Sequence, residues 1–190
     1  HEAPAKQQIV CSRSFGAPVT EKSVMQEAVA SYLSRAMEKL RREQRLVRSL
    51  QVFIRTSPFR EQDPQYSNAA TGQLHEPSED TRPMMGMAMR LLDSIWRDGY
   101  PYSKAGVMLS DFYEPNAWQP DLLSDQNASA KGRVTSVDNP QLMQVLDTIN
   151  AGNLGKIWFA RQGAHRDWQM KREWLSPGYL SRWAELPKVR

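Results

Sequence analysis

The 190-residue chain holds a single cysteine, Cys11, so neither a disulfide framework nor a cysteine-built zinc site is open to it. A lone thiol fits a reducing, cytoplasmic compartment. The three histidines, His1, His75 and His165, are isolated, without the H-x-x-x-H or H-E-x-x-H spacing that turns two imidazoles toward one metal. No run approaches the ~18–20 apolar residues of a membrane-spanning helix. The opening HEAPAKQQ has neither the basic start nor the apolar stretch of a secretory signal. Phosphate loops of the G-x-x-x-x-G-K-[ST] and G-x-G-x-x-G types are missing, as is the G-x-S-x-G elbow of a serine nucleophile. Cys11 stands in a strand pattern, where cysteine more often serves as a small buried hydrophobe than as a nucleophile. The neighbouring acids Glu79-Asp80 suit a helix start, where unpaired N–H groups stabilise them. No set of catalytic groups emerges, so an enzyme acting through these residues alone is the weakest reading. The chain opens at His1 rather than Met, which leads us to expect a piece of something longer.

What is present is charge, and it is segregated. Residues 1–60 carry 11 Lys/Arg against 5 Asp/Glu, residues 61–130 carry 4 against 11, and residues 131–190 carry 10 against 5. The overall balance is only +4. A chain polarised in this way suits a polyanion at one part and a different partner at another.

Hydrophobic periodicity gives an ordered set of elements. Lys6 to Phe15 reads as a strand stopped by Gly16-Ala17-Pro18. Ser23 and Gln26 have capping-box spacing, and Met25, Ala28, Val29, Tyr32, Leu33, Ala36, Met37 and Leu40 then mark one face of a long helix to about Arg45. Ser49 to Ser57 alternates, with Leu50, Val52 and Ile54 on one side and Gln51, Phe53, Arg55 and Ser57 on the other. Tyr66 to Leu74 is a weaker strand. A second helix is expected after Thr81, with Pro83 in its first turn, an apolar stripe of Met84, Ala88, Leu91, Leu92 and Ile95, and Gly99 as its stop. Tyr102 to Tyr113 is the fourth strand, with Ala105, Val107 and Leu109 inward and Tyr102, Lys104 and Ser110 outward. The order β-α-β-β-α-β defines an α+β fold in which two helices cover one face of a four-stranded sheet. Gln51, Phe53, Arg55, Ser57, Thr71, Gln73, Tyr102 and Lys104 are expected on the uncovered face, a polar and cationic lining suited to tracking phosphates.

Beyond residue 113 the pattern changes. Residues 114–139 are rich in Pro, Asn, Asp, Ser and Gly and read as a flexible linker. In residues 140–190 a short helix follows Asn139-Pro140, and Lys156 to Arg161 suggests a short strand, giving a small α/β tail. Four of the six tryptophans fall in the last 33 residues, an aromatic load that requires either a compact satellite core or a partner.

Several strings are more specific than these patterns. They are Ser12-Arg13-Ser14-Phe15-Gly16, Phe53-Ile54-Arg55-Thr56-Ser57-Pro58-Phe59, Lys104-Ala105-Gly106-Val107-Met108-Leu109, and Trp168-Gln169-Met170-Lys171-Arg172 followed by Leu175-Ser176-Pro177-Gly178-Tyr179. Together, and over nearly the whole chain, they closely resemble the C-terminal part of the catalytic subunits of bacterial DNA polymerase V, the UmuC/MucB (ImpB/MucB/SamB) group of Y-family translesion polymerases. The resemblance implies that residues 1–113 form the DNA-binding little finger and residues 140–190 a tail peculiar to this subunit. It also implies that catalysis, on palm carboxylates holding Mg²⁺, belongs to segments absent here, so no cofactor is expected for this chain itself.

Matched residue by residue, the resemblance implies backbone contacts to DNA from Arg13, Ser14, Arg55 and Lys104, with Gln51 and Ser57 on the same face. Ile9 and Cys11 share parity with Arg13, so alternation alone leaves its side of the sheet open. Gln119-Pro120-Asp121-Leu122-Leu123 resembles the Q-x-x-L-[FL] peptide that docks bacterial polymerases on the sliding clamp, with Gln119, Asp121, Leu122 and Leu123 as its contacts and Leu123 in place of the more usual Phe. Trp168, Lys171, Arg172, Trp174, Tyr179 and Trp183 form either a satellite core or the docking patch for a processed accessory subunit resembling UmuD′, with RecA as a further partner. The alternative from another class is a protein–protein adaptor whose basic face is incidental.

Overall fold

The computed structural model describes residues 6–115, 139–152, 155–163 and 168–169. Four strands, β1 (Gln8–Val19), β2 (Leu46–Thr56), β3 (Ser67–Ser78) and β4 (Tyr102–Tyr113), alternate with α1 (Lys22–Arg42) and α2 (Thr81–Ile95), and α3 (Pro140–Ala151) follows. The strands form one antiparallel sheet in the order β1-β4-β2-β3, which is the expected α+β, β-α-β-β-α-β arrangement. Ile9, Cys11, Leu50, Val52, Ile54, Val107 and Leu109 alternate onto one side and are buried under α1 and α2. Burying a side chain of this size stabilises by about 1.5–3 kcal/mol, so the register is set by this apolar side.

α1 buries the predicted stripe from Met25 to Leu40. Its start differs from expectation: Glu21 is the N-cap, no side chain caps it, and Ser23 lies inside the first turn, too late to form a capping box. α2 begins as expected at an acid. Asp80 accepts a hydrogen bond from the Arg82 backbone N–H at 2.8 Å, and Pro83 occupies the first turn, where its missing N–H costs nothing. α2 ends at Ile95, and Gly99 (φ +84°) takes the left-handed turn of the connection to β4.

β1 does not stop at Gly16-Ala17-Pro18 but continues to Val19. It is an edge strand, and its pairing with β4 lapses between Ser14 and Val19, so no ladder bond is asked of Pro18. Tyr102 is also misplaced by simple alternation. Arg55 pairs with Lys104 but Thr56 pairs with Tyr102, so an extra residue, Ser103, bulges from β4. The bulge reverses the side that Tyr102 faces. Its ring is fully buried against Trp96, Tyr66 and Tyr100, and its hydroxyl donates to the Arg97 carbonyl at 2.9 Å.

Beyond the sheet, Asn139 caps α3 by accepting from the Leu142 N–H. The strand expected at 156–161 is not formed. Residues 155–159 are irregular and lead into a single 3₁₀ turn, Ala160–Gln162. Asn150 satisfies the backbone there instead, accepting from the Ile157 N–H at 2.7 Å and donating to the Ile157 carbonyl at 2.8 Å. α3 is tied to α1 by a fork in which Arg41 Nε and Nη2 reach the Asp147 carboxylate at 2.6 and 2.7 Å.

Candidate nucleic-acid interface

The side of the sheet away from the helices is built in cross-strand rows. Ser14 stands opposite Lys104, Lys104 opposite Arg55, and Arg55 opposite Ser67, so one row crosses all four strands with two cations at its centre. The next row on this face contains Ser12, Gly106, Phe53 and Ala69, and the one beyond it Val10, Met108, Gln51 and Thr71. Alternation places these residues here because their neighbours Ile54, Ala105 and Val107 are committed to the core. Arg55 and Ser14 are exposed, and neither Arg55 nor Lys104 is ion-paired among the described residues.

Local contacts hold this surface in place. Gln51 donates to Thr71 Oγ1 at 3.1 Å across β2 and β3. The Phe53 ring lies over Gly106, where a Cβ would fall 2.4 Å from both the ring and Ser12 Cβ. A glycine is therefore required for the ring to pack this closely on β4. Just past the Arg55 end of β2, the connection to β3 carries Phe59, 92% exposed.

Of the expected contacts, Ser14, Gln51, Arg55 and Lys104 share this face. Ser57 lies beyond the end of β2 in the turn, where its carbonyl accepts from the Arg60 N–H. Arg13 is on the other side. It shares a row with Ala105 and Ile54 and projects past the sheet edge beside Tyr32 and Arg35 of α1, because the apolar Ile9 and Cys11, four and two residues before it, must face the core. Burial pushes the Tyr32 hydroxyl up to about 12, with Arg13 and Arg35 opposing the shift. Sequence analysis assigns Arg35 no role; what distinguishes it in the structure is its place beside Arg13 of β1.

Trp168 is the one residue of the expected docking patch that the structure describes, and it belongs to the core of the sheet domain rather than to a free surface. It is 7% exposed, its ring meets Tyr32 and Phe15 edge-on at 5.5 and 6.3 Å, and its carbonyl accepts from the Gly16 N–H. Lys171, Arg172, Trp174, Tyr179 and Trp183, and the peptide residues Gln119, Asp121, Leu122 and Leu123, lie outside the described residues. No helix among the described residues is long and apolar enough to cross a membrane.

Residues 6–122 match the impB/mucB/samB family C-terminal domain, and residues 140–189 match a domain of unknown function, DUF4113. The chain is 46% identical to protein ImpB of Salmonella typhimurium over 187 residues, 98% of this chain and 42% of that protein. It is 47% identical to protein UmuC of Salmonella typhimurium LT2 over 99% of this chain and 43% of the relative. Against protein MucB of Escherichia coli the identity is 44% over 97% of this chain and 42% of the relative. The chain thus spans about two fifths of the length of these relatives. With a family match over more than half its length and close identity along nearly all of it, the chain belongs to the impB/mucB/samB family.

Proposed function

We propose that this chain is the DNA-gripping and partner-docking portion of an error-prone translesion polymerase acting in SOS mutagenesis and DNA repair. Family membership and the resemblance to UmuC support the wider role. Nucleotidyl transfer on Mg²⁺ is assigned to other segments of the parent protein. The observation that carries the DNA reading is the Ser14–Lys104–Arg55–Ser67 row, two cations without an ion-pair partner among the described residues, flanked by hydroxyls on the sheet face away from α1 and α2.

Such a row recognises sugar-phosphate rather than bases. Guanidinium and ammonium groups displace counterions from phosphates, and serine hydroxyls and strand-edge N–H groups add hydrogen bonds. A lesion alters a base and leaves the phosphates unchanged, so a backbone grip is indifferent to it. Nonspecific affinity of about 10⁻⁴–10⁻⁶ M with a steep salt dependence follows. The test is to titrate the chain with a fluorescent duplex and with the same duplex containing an abasic site. Equal, salt-sensitive affinities support the reading; no salt-sensitive binding to either duplex favours the adaptor alternative.

Partner docking is assigned to the remainder. Leu122 and Leu123 of the clamp-type peptide would fill a pocket on the sliding clamp, with Gln119 bonding its rim. Leu142, Val145, Ile157 and Trp158 are about half exposed on α3 and the segment after it, an apolar surface suited to the accessory subunit. A chain carrying Leu122→Ala and Leu123→Ala that bound the clamp as well as the native one would remove the clamp assignment.

A further inference from the structure

Where β1 passes α1 and Trp168, the sheet edge closes over a cavity of about 690 Å³ lined by Arg13, Ser31, Tyr32, Arg35, Lys104 and Trp168, among others. Three features mark it. Its charged lining is cationic only, and none of the three cations is ion-paired among the described residues. Ser31, Tyr32 and Trp168 are more than nine-tenths buried, yet the Ser31 hydroxyl, the Tyr32 hydroxyl and the Trp168 indole N–H have no hydrogen-bond partner among the described residues. Buried polar atoms are satisfied in the great majority of cases, so three such atoms on residues that line one cavity mark a polar site. Finally, Lys104 belongs both to this cavity and to the open-face row.

The orphans narrow the ligand. An indole N–H can only donate. The Tyr32 hydroxyl is protonated at neutral pH and able to donate, and burial, which pushes it up to about 12, keeps it so well into the alkaline range. Beside two guanidinium groups and an ammonium, these donors suit an oxyanion that shares its charge over two acceptor oxygens, for which arginine's planar fork is well shaped. The cavity is wide enough for more than a lone ion.

We propose that this edge cavity is a second phosphate site, which receives a phosphodiester of the strand leaving the open face past Lys104. The assignment rests on the open face being a DNA grip, and it adds a turn around the β1 edge that the face alone does not supply. Arg13 and Arg35 hold the phosphate charge. Trp168 fixes the floor, which couples the tail segment that carries it to bound DNA.

The test follows the Trp168 indole resonance of the full ¹⁵N-labelled chain, assigned with Trp168→Phe, during titration with a short oligonucleotide duplex and separately with pyrophosphate. The proposal expects the oligonucleotide to shift this resonance. The Arg13→Gln/Arg35→Gln chain should lose the shift, with the slope of log K against log salt lower by about one. Binding of the oligonucleotide with Trp168 unmoved and the double variant unaffected would overturn the edge site and leave the open-face grip standing. Failure of the oligonucleotide to bind would overturn the grip and the phosphodiester assignment together. In that case a shift with pyrophosphate alone would retain a free-phosphate pocket, and no shift with either would end the inference.

Discussion

Arg55 and Lys104 face each other directly across β2 and β4, on the side of the sheet away from α1 and α2. Like charges so paired destabilise a sheet by about 0.2–1 kcal/mol, a cost that a fold selected for stability alone would avoid. Replacing Lys104 with Gln is therefore expected to leave the fold unchanged or stabilise it by up to about 1 kcal/mol while weakening DNA binding. Urea denaturation and a duplex titration on the same protein read the two effects. Loss of stability together with loss of binding would point to a structural role.

Gly106 tests the surface beside that pair. Gly106→Ala places a methyl into the Phe53 ring and Ser12 Cβ, both 2.4 Å from its ideal position. Overpacking of this kind costs about 1–3 kcal/mol, and the ring is the group able to move. A lower urea midpoint, recovered when Phe53→Leu is added, is the expected result. An unchanged midpoint in Gly106→Ala would show that Phe53 does not lie on the glycine.

The Arg41–Asp147 fork joins α3 to α1. The Arg41 side chain is 8% exposed and Asp147 25%, and Arg41 Nη1 also donates to Thr81 Oγ1 and the Glu79 carbonyl. Removing one partner of a buried pair costs about 3–5 kcal/mol, and the partly exposed carboxylate brings Asp147→Asn toward about 2 kcal/mol. Hydrogen exchange should show faster opening of α3 in Asp147→Asn with β1–β4 unaffected. Uniform acceleration through the sheet would instead make the fork part of the global fold.

Asp80 supplies a pH dependence. Burial raises its carboxyl pKa, but hydrogen bonds from the Arg82 side chain and from the backbone N–H groups of Arg82 and Asn139 outweigh this and hold it below the ordinary 3.8. A depressed carboxyl stabilises the fold above its unfolded pKa, and that contribution is lost as pH falls from 3.8 through the lower folded value. Asp80→Asn should flatten stability against pH in this acid window and lose stability near neutrality. A native-like acid slope in Asp80→Asn would assign the effect elsewhere.

The order of elements and the identity of the core were legible because each apolar period, about 3.6 residues in α1 and two in β2, has one physical solution. The same alternation placed Arg55 and Lys104 on one side. It failed at Tyr102, where the Ser103 bulge inserts a residue no local pattern announces, and it was silent on Arg13 until Ile9 and Cys11 were seen in the core. Lys156 to Arg161 has strand composition, but a strand needs an edge to pair with, and Asn150 takes its backbone groups instead. The edge cavity is a meeting of β1, α1 and Trp168, and nothing in the spacing of those residues foretells it.

The decisive measurement is the salt dependence of duplex binding by the native chain and by Arg55→Gln/Lys104→Gln. Removing two charges that each neutralise a phosphate should lower the slope of log K against log salt by about 1.8, with affinity reduced at least about tenfold at low salt. Identical slopes and affinities for the two proteins would contradict a backbone grip on this sheet face.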